Sequence, residues 1–193
     1  MKEKIREALA SRQKRVICDP SLTESAVLLP VFEKDGKCYI LFTRRTSHLA
    51  HHQGQISFPG GGKHKADKSL LETALRESHE EIGLKEKDVE ILGELDDAVT
   101  TTSSYHITPF VGLIPYPYEF KKDDFEVEEI FDLPLEGLMN KAVQKREDMI
   151  IGDKTINVYT FELDGRVVWG ATAWILHQFL EILRSVSGAH SKN

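Results

Sequence analysis

Glu77, Glu80 and Glu81 lie within one segment of helical periodicity. At about 100° per residue, their side chains fall within about 100° of arc on a face well separated from the apolar stripe of the helix. Carboxylates at this spacing repel each other by roughly 0.2 to 0.5 kcal/mol per pair, and a bound divalent cation would turn that repulsion into attraction. Such hard oxygen ligands suit Mg²⁺ or Mn²⁺. A plain solvated helix face is a common origin of such clusters and stays open at this point.

A glycine-rich stretch lies directly upstream of this helix, with the sequence Phe58-Pro59-Gly60-Gly61-Gly62. Glycine adopts backbone geometries that are closed to other residues, so this stretch could bring a carbonyl or an amide close to a metal or a phosphate. The combination of glycines and glutamates therefore favours a phosphate-handling site over a solvated face.

The segment from Gly61 to Leu84, GGKHKADKSLLETALRESHEEIGL, resembles the Nudix box, G-x5-E-x7-R-E-U-x-E-E-x-G-U, where U is a bulky apolar residue. The second half of the box fits at Arg76, Glu77, Glu80, Glu81, Gly83 and Leu84. Asp67 replaces the first glutamate and precedes Arg76 by eight intervening residues instead of seven. Ser78 occupies an apolar position.

The shifted Asp67 and the stretch before the box resemble the branch of Nudix proteins that hydrolyses coenzyme A, with the signature L-L-T-x-R-[SA]-x3-R-x3-G-x3-F-P-G-G. The fitting residues are Leu41, Phe42, Thr43, Arg45, Gly54, Phe58, Pro59, Gly60 and Gly61. His52 and Gln55 agree with a frequent form of the signature. Thr46 stands where a small residue is usual, and Ala50 replaces the second arginine. Segments 126–135 and 168–176 are also similar to this branch.

The resemblance implies a Nudix fold and a divalent cation held by Glu77, Glu80 and Glu81, with the backbone carbonyl of Gly61 as a further ligand. It implies that Arg76 orients a carboxylate and does not touch substrate. The general base varies in this family. It is either a glutamate of the box or one from a later loop, for which Glu126 and Glu129 are the candidates and a solvated acidic loop is the alternative.

Substrate contacts are expected from basic and polar residues around the glycine-rich stretch. Arg44, Arg45 and Lys63 are the candidate phosphate contacts on charge grounds, with surface solvation as the alternative for each. The resemblance adds His52 and Gln55. A metal site at His48, His51 and His52 is disfavoured, because loop histidines near a phosphate site are more often hydrogen-bond donors or merely exposed. Trp169 and Trp174 are predicted to lie in the core.

The activity implied is hydrolysis of coenzyme A or an acyl-CoA at its pyrophosphate, to 3′,5′-ADP and a 4′-phosphopantetheine fragment. An acidic protein binds an anionic pyrophosphate by placing cations between the two. The alternatives are another nucleoside diphosphate derivative, such as ADP-ribose or a dinucleotide, and a catalytically silent domain that senses a nucleotide. Three converging carboxylates argue against the silent domain.

The elements that must position these residues form a mixed α+β pattern. A short helix around Ile5 and Leu9 opens the chain, and strands are predicted at 26–32, 38–43, 56–58, 89–95 and 107–114. The glutamate helix is predicted from Ser69 to a C-cap at Gly83. A hairpin at 147–151 and 155–163 turns at Gly152-Asp153, and a helix over 171–186 closes the fold. The prediction is a mixed β-sheet flanked by helices, an α/β/α sandwich.

The composition fits one folded domain of this kind. The 193 residues are 40 % apolar and 29 % charged, which can fill the core of one domain. The predicted division is a helical extension over 1–22, one domain over 23–187, which the resemblance implies is a Nudix domain, and a frayed tail over 188–193. A net charge of −6 disfavours nucleic acid as a partner. No apolar run spans a membrane, and two isolated cysteines suggest a cytoplasmic setting. The expected partner is a small-molecule nucleotide, and a homodimer stays open.

Overall fold

A computed structural model of the chain describes residues 2–48, 53–100, 104–151 and 154–189. Within these ranges the chain forms four α-helices, two short 3₁₀-helices and eleven strands. The helices are α1 (Lys2–Ala10), α2 (Leu70–Ile82), α3 (Leu135–Met139) and α4 (Gly170–Ala189). The strands are β1 (Thr23–Lys34), β2 (Lys37–Arg45), β3 (Ile56–Ser57), β4 (Gly60–Gly62), β5 (Glu90–Glu94), β6 (Ala98–Val99), β7 (Tyr105–Leu113), β8 (Val127–Pro134), β9 (Gln144–Ile151), β10 (Lys154–Leu163) and β11 (Arg166–Trp169). No helix in these ranges is long and apolar enough to cross a membrane.

Eight strands form one mixed sheet around β1. β7 runs parallel to β1, β2 pairs antiparallel with the end of β1, and β4 pairs antiparallel with its beginning. β3 and β8 pair with β2, whereas β5 and β6 pair with β7. The predicted mixed sheet with flanking helices is confirmed.

The two faces of this main sheet bury different layers, because successive side chains of a strand point to opposite faces. Leu28 and Leu41 lie on the face covered by α2, which we call the α2 face. Leu29 and Phe42 lie on the other face, in a core shared with α4 and with a second sheet of order β11-β10-β9. We call it the α4 face.

The helix that carries the glutamates begins and ends as the sequence predicts. The Ser69 hydroxyl accepts a hydrogen bond from the Glu72 amide at 3.1 Å, and Gly83 takes a left-handed conformation with φ 69°, which glycine adopts at little cost. Ser78 is fully buried, and its hydroxyl donates to the Ala74 carbonyl at 2.7 Å. This bond satisfies the hydroxyl at the apolar position of the box.

Four strands lie where the sequence did not predict any. β4 and β6 fall in segments predicted as loops, and β8 and β11 were missed altogether. Each lacks a clear alternation of apolar residues, and β4 consists of glycines alone, so its strand conformation depends on pairing with β1. The turn predicted at Gly152-Asp153 lies outside the described residues.

The C-terminal helix differs from the prediction at its end. α4 continues to Ala189, beyond the end at residue 186 that the sequence predicted, since an established helix adds further residues readily. The frayed tail over 188–193 stays a prediction. Residues 190–193 lie outside the described residues. The core placement is wrong for Trp169, which is 50 % exposed on the second sheet. Trp174 packs beside the Tyr159 ring, with the ring centroids 5.5 Å apart.

The N-terminal segment packs onto the domain. Ile5 and Leu9 of α1 are buried in the core of the α4 face. The buried Asp97 carboxylate accepts a hydrogen bond from the Ile17 amide at 2.9 Å and lies 3.0 Å from Lys14 Nζ. The segment before the predicted boundary at residues 22 and 23 therefore contributes side chains to the same core as the main sheet.

Candidate active site

Glu77 lies directly against the glycine-rich strand β4. A Cβ atom added at Gly61 would lie 2.6 Å from the Glu77 carboxylate, closer than carbon and oxygen can approach. The side chain of Glu77 is 14 % exposed and its Oε1 accepts a hydrogen bond from Arg76 Nη1 at 2.8 Å. The glycine therefore makes room for the first glutamate of the cluster.

Glu81 is the most buried carboxylate of the cluster, with its side chain 4 % exposed. The Gly60 amide donates to its Oε2 at 3.2 Å, and Arg45 Nη1 lies 3.4 Å from its Oε1. Burial raises the pKa of Glu81 to about 8, although Arg45 and the Gly60 amide oppose the rise. Two residues of the stretch before the box thus contact a carboxylate within the box.

Glu126 reaches the same group from the loop before β8. Its Oε2 lies 3.8 Å from Arg45 Nη2. Thr46 anchors this loop, since its hydroxyl donates to the Phe125 carbonyl at 2.7 Å and its amide to the Glu126 carbonyl at 3.0 Å. The threonine that departs from the branch signature therefore holds Glu126 beside Arg45.

Arg76 contacts three carboxylates, those of Asp67, Glu77 and Glu80. Its Nε and Nη2 donate to the two oxygens of Asp67 at 3.0 Å each, and its Nη1 donates to Glu77 and, at 2.9 Å, to Glu80. Arg76 Nη2 also donates to the Gly62 carbonyl at 3.0 Å. The guanidinium holds the pKa of Asp67 well below its usual range. The shifted aspartate of the box is thus the main partner of Arg76.

Negative charge exceeds positive charge in this cluster. Its five carboxylates share two guanidiniums, those of Arg45 and Arg76. Burial raises the pKa of Glu77, Arg76 opposes the rise, and repulsion from Glu80 and Glu126 adds to it. The same Glu126 repulsion contributes to the raised pKa of Glu81. A hard divalent cation suits a donor set of this kind.

The glutamates do not form a closed metal cage by themselves. Among the residues that the structure describes, no three His, Cys, Asp or Glu side chains form a ready metal cluster. Arg45 and Arg76 lie against the carboxylates, and Glu80 points largely into solvent with 55 % of its side chain exposed. The donor chemistry and the charge excess fit a cation, and its binding would have to draw these carboxylates together.

Glu129 and Arg44 lie away from this cluster, on the α4 face. The Arg44 Nε atom lies 3.7 Å from Glu129 Oε2, and Arg166 Nη2 donates to Glu129 Oε1 at 2.7 Å. A bulge in β8 separates the two candidate bases, because Arg44 pairs with Glu129 whereas Arg45 pairs with Val127. The extra residue of a bulge changes which face the following side chains occupy.

The remaining predicted substrate contacts are dispersed. Lys63 Nζ lies 2.9 Å from Glu24 Oε2, in an ion pair at the start of β1. The Gln55 carbonyl accepts a hydrogen bond from the Arg45 amide at 3.0 Å. His52 and Ala50, together with His51, lie outside the described residues.

Comparison with known proteins gives the family of this chain. The family profile of the NUDIX domain matches residues 22–150. An uncharacterized Nudix hydrolase, NudL, of Photorhabdus laumondii is 36 % identical over 157 residues, which cover 81 % of this chain and 83 % of the relative. The chain belongs to the Nudix family.

The solved structures support the Nudix fold at low sequence identity. A MutT/nudix family protein from Enterococcus faecalis aligns over 94 % of this chain and 74 % of its own, with a TM-score of 0.57 and 11 % identity. The NUDIX domain of Shewanella oneidensis NrtR, solved in complex with ADP ribose, aligns over 63 % of this chain and 81 % of its own, with a TM-score of 0.50 and 19 % identity. The family match and the relatives named Nudix hydrolase identify this chain as a pyrophosphohydrolase of nucleoside diphosphate derivatives.

Two residues of this Nudix hydrolase were not assigned a role from the sequence. Thr46 was noted only as a departure, and Arg166 was not noted at all. Their contacts join segments that are 79 and 37 residues apart in the chain. A spacing pattern within one segment contains no signal for such contacts.

Proposed function

We propose that this Nudix hydrolase cleaves the pyrophosphate bond of coenzyme A or an acyl-CoA, releasing 3′,5′-ADP and 4′-phosphopantetheine or its acylated form. One observation carries the proposal: Arg45 and Gly60, which belong to the signature of the coenzyme A branch, both contact Glu81 of the Nudix box. The signature and the box are therefore parts of one site.

The proposed cation ligands are Glu77, Glu80 and Glu81, with the Gly61 carbonyl. When bound, Mg²⁺ or Mn²⁺ neutralises the pyrophosphate, stabilises the charge of the transition state and acidifies the attacking water. Arg76 positions Glu77 and Glu80 through its hydrogen bonds to both. Asp67 in turn fixes the plane of the Arg76 guanidinium.

Glu126 is the proposed general base. Its side chain is 41 % exposed, so water reaches it, and it lies 3.8 Å from the Arg45 guanidinium, which also contacts Glu81. Glu126 takes a proton from water while the water oxygen bonds to one phosphorus and the bridging P–O bond breaks. Glu129 suits this role less well, because it lies on the opposite face between two arginines.

Hydrolysis of ADP-ribose or a dinucleotide is the second candidate. Ala50 lacks the arginine of the coenzyme A signature, and the NrtR domain with the same fold was solved with ADP ribose. A silent nucleotide sensor is the third, and the charge excess of the glutamate cluster disfavours it.

One panel of substrates tests the proposal. The full chain is incubated with coenzyme A, ADP-ribose, NADH or nucleoside triphosphates, in Mg²⁺, Mn²⁺ or EDTA, and products are identified by mass. We expect 3′,5′-ADP and 4′-phosphopantetheine from coenzyme A at the highest kcat/KM, and no product in EDTA. A higher kcat/KM for ADP-ribose would overturn the coenzyme A assignment, and turnover in EDTA would overturn the metal assignment.

A further inference from the structure

A second charged group lies at the end of β2, on the α4 face. It consists of Arg44, Glu129 and Arg166, and we call it the Arg44 group. Arg166 comes from the second sheet and holds Glu129 through two nitrogens, with Nη2 at 2.7 Å from Oε1. Its guanidinium lies over the Phe131 ring, 4.2 Å from the centroid. Stacking and bidentate bonding fix the orientation of this guanidinium before any ligand arrives.

Arg44 is less completely paired than Arg166. Its Nε atom is buried and has no hydrogen-bond partner among the described residues, because Glu129 lies 3.7 Å away. The side chains of Arg44, Glu129 and Arg166 are 32 %, 37 % and 24 % exposed. The group is therefore open to solvent and retains capacity for a further acceptor.

The charge balance distinguishes this group from the other cations near the site. Lys63 faces one carboxylate, Arg45 faces two and Arg76 faces three. In the Arg44 group two guanidiniums share the one carboxylate of Glu129. An anion gains most where cations outnumber carboxylates, and guanidinium binds phosphate in a bidentate manner.

We propose that Arg44 and Arg166 form a subsite for a second phosphate of the substrate, the 3′-phosphate on the ribose of coenzyme A. This inference rests on the proposed function. Arg44 and Arg45 are consecutive residues on the two faces of β2, so the proposed subsite and the glutamate cluster adjoin the same end of this strand. Arg166 supplies, from the second sheet, a guanidinium of the type that the signature lacks at Ala50.

Coenzyme A and 3′-dephospho-coenzyme A test the subsite, since they differ only in this phosphate. In Arg166→Gln, we expect KM for coenzyme A to rise about tenfold or more and KM for the dephospho form to change less than about twofold, because a charge-assisted bond to one phosphate is lost. We expect the same pattern in Arg44→Gln, with a larger rise in KM for coenzyme A than for the dephospho form. Equal changes for the two substrates, or none, would overturn the subsite.

Two further variants control for charge and folding. Arg146→Gln removes an exposed arginine of the same second sheet, which bonds to Asn157, and leaves the ratio of the two KM values unchanged. Glu129→Gln keeps both arginines and removes their competing carboxylate, so KM for coenzyme A falls severalfold while that for the dephospho form stays. If Arg166→Gln lowers the melting temperature strongly, Glu129→Gln becomes the deciding variant. An unchanged ratio of KM for coenzyme A to KM for the dephospho form in Glu129→Gln then overturns the subsite.

Binding of products separates this inference from the proposed function. Calorimetry with 3′,5′-ADP and 5′-AMP needs no turnover, and we expect the wild-type chain to bind 3′,5′-ADP more tightly, with the difference lost in Arg166→Gln. If neither coenzyme A form is hydrolysed but this difference is found, the proposed function fails and the subsite stands. If coenzyme A is hydrolysed and the two nucleotides bind equally, the subsite fails alone.

Discussion

Arg44 and Arg45 are neighbours at the end of β2, and their guanidiniums lie on opposite faces of the main sheet. Arg45 contacts Glu81 and Glu126 on the α2 face, whereas Arg44 lies beside Glu129 on the α4 face. The alternation of a strand sends them apart, and the bulge in β8 places a glutamate beside each. These two adjacent arginines thus belong to two different charged groups. Carboxylates outnumber guanidiniums around Arg45, and guanidiniums outnumber carboxylates around Arg44.

Glu81→Gln is expected to lower kcat by about two orders of magnitude or more, because it removes the buried carboxylate on which the cation would depend. Glu80→Gln should lower kcat as well. Rates at saturating Mg²⁺ measure the effect, and Glu86→Gln, an exposed glutamate just beyond α2, serves as the charge control. Near-normal turnover of Glu81→Gln would exclude it from the metal ligands.

Stability without metal should fall as pH rises. The pKa of Glu81 is raised to about 8 from 4.5, so between these values the folded state binds more protons than the unfolded state, and the free energy of unfolding decreases with pH. Melting temperatures in EDTA at pH 5.5 and 8.5 show the decrease. Glu81→Gln lacks the titrating carboxyl group and should show a smaller decrease in melting temperature between the two pH values. An identical decrease in the variant and the wild type would contradict the raised pKa.

Glu126→Gln tests the general base. Loss of a general base typically lowers kcat by about 10²- to 10⁴-fold, and KM should change little because Glu126 removes a proton and does not bind the substrate. Glu128→Gln is the matched control, since Glu128 is exposed two residues further along the chain. If both variants lose the same activity, the effect is one of charge and the base lies within the box.

Gly61→Ala should displace the Glu77 carboxylate, because the new Cβ would lie 2.6 Å from it. We expect kcat to fall about tenfold or more, as small displacements at catalytic groups are costly. At Gly62 an added Cβ would find its nearest neighbour at 3.9 Å. Gly62→Ala therefore reports the cost of a methyl group on β4 alone, and equal losses in the two variants would show that the Glu77 contact is unimportant.

Asp67→Asn is expected to destabilise the fold by about 1.5 to 3 kcal/mol, because two charge-assisted hydrogen bonds from Arg76 are weakened. The lowered pKa of Asp67 means that its contribution is present above its usual pKa and is lost as pH falls through the lower value. Urea unfolding at pH 7 and pH 3 measures both. A difference between variant and wild type that is as large at pH 3 or below as at pH 7 would rule out the ion pair as its source.

The sequence alone determined the α2 helix and the glutamates that it carries. Ser69, Gly83 and the apolar stripe act within one turn or two of the backbone, and the spacing of Glu77, Glu80 and Glu81 sets their common side by helical geometry alone. The Asp35-Gly36 pair between β1 and β2 is likewise a hairpin signal of two adjacent residues, and both take the positive φ that such a turn requires. Local interactions of this kind are contained in the order of the residues.

The tertiary structure alone decided which later residues meet these glutamates. From the sequence, Glu126 and Glu129 were equivalent candidates. The bulge in β8 and the Thr46 hydrogen bonds bring Glu126 to Arg45, while Arg166 draws Glu129 to the other face. The burial that raises the pKa of Glu81 likewise comes from β2 and β4, which are distant in the chain. Such contacts form only when the sheets pack, because strand pairing and burial are collective properties of segments far apart in sequence.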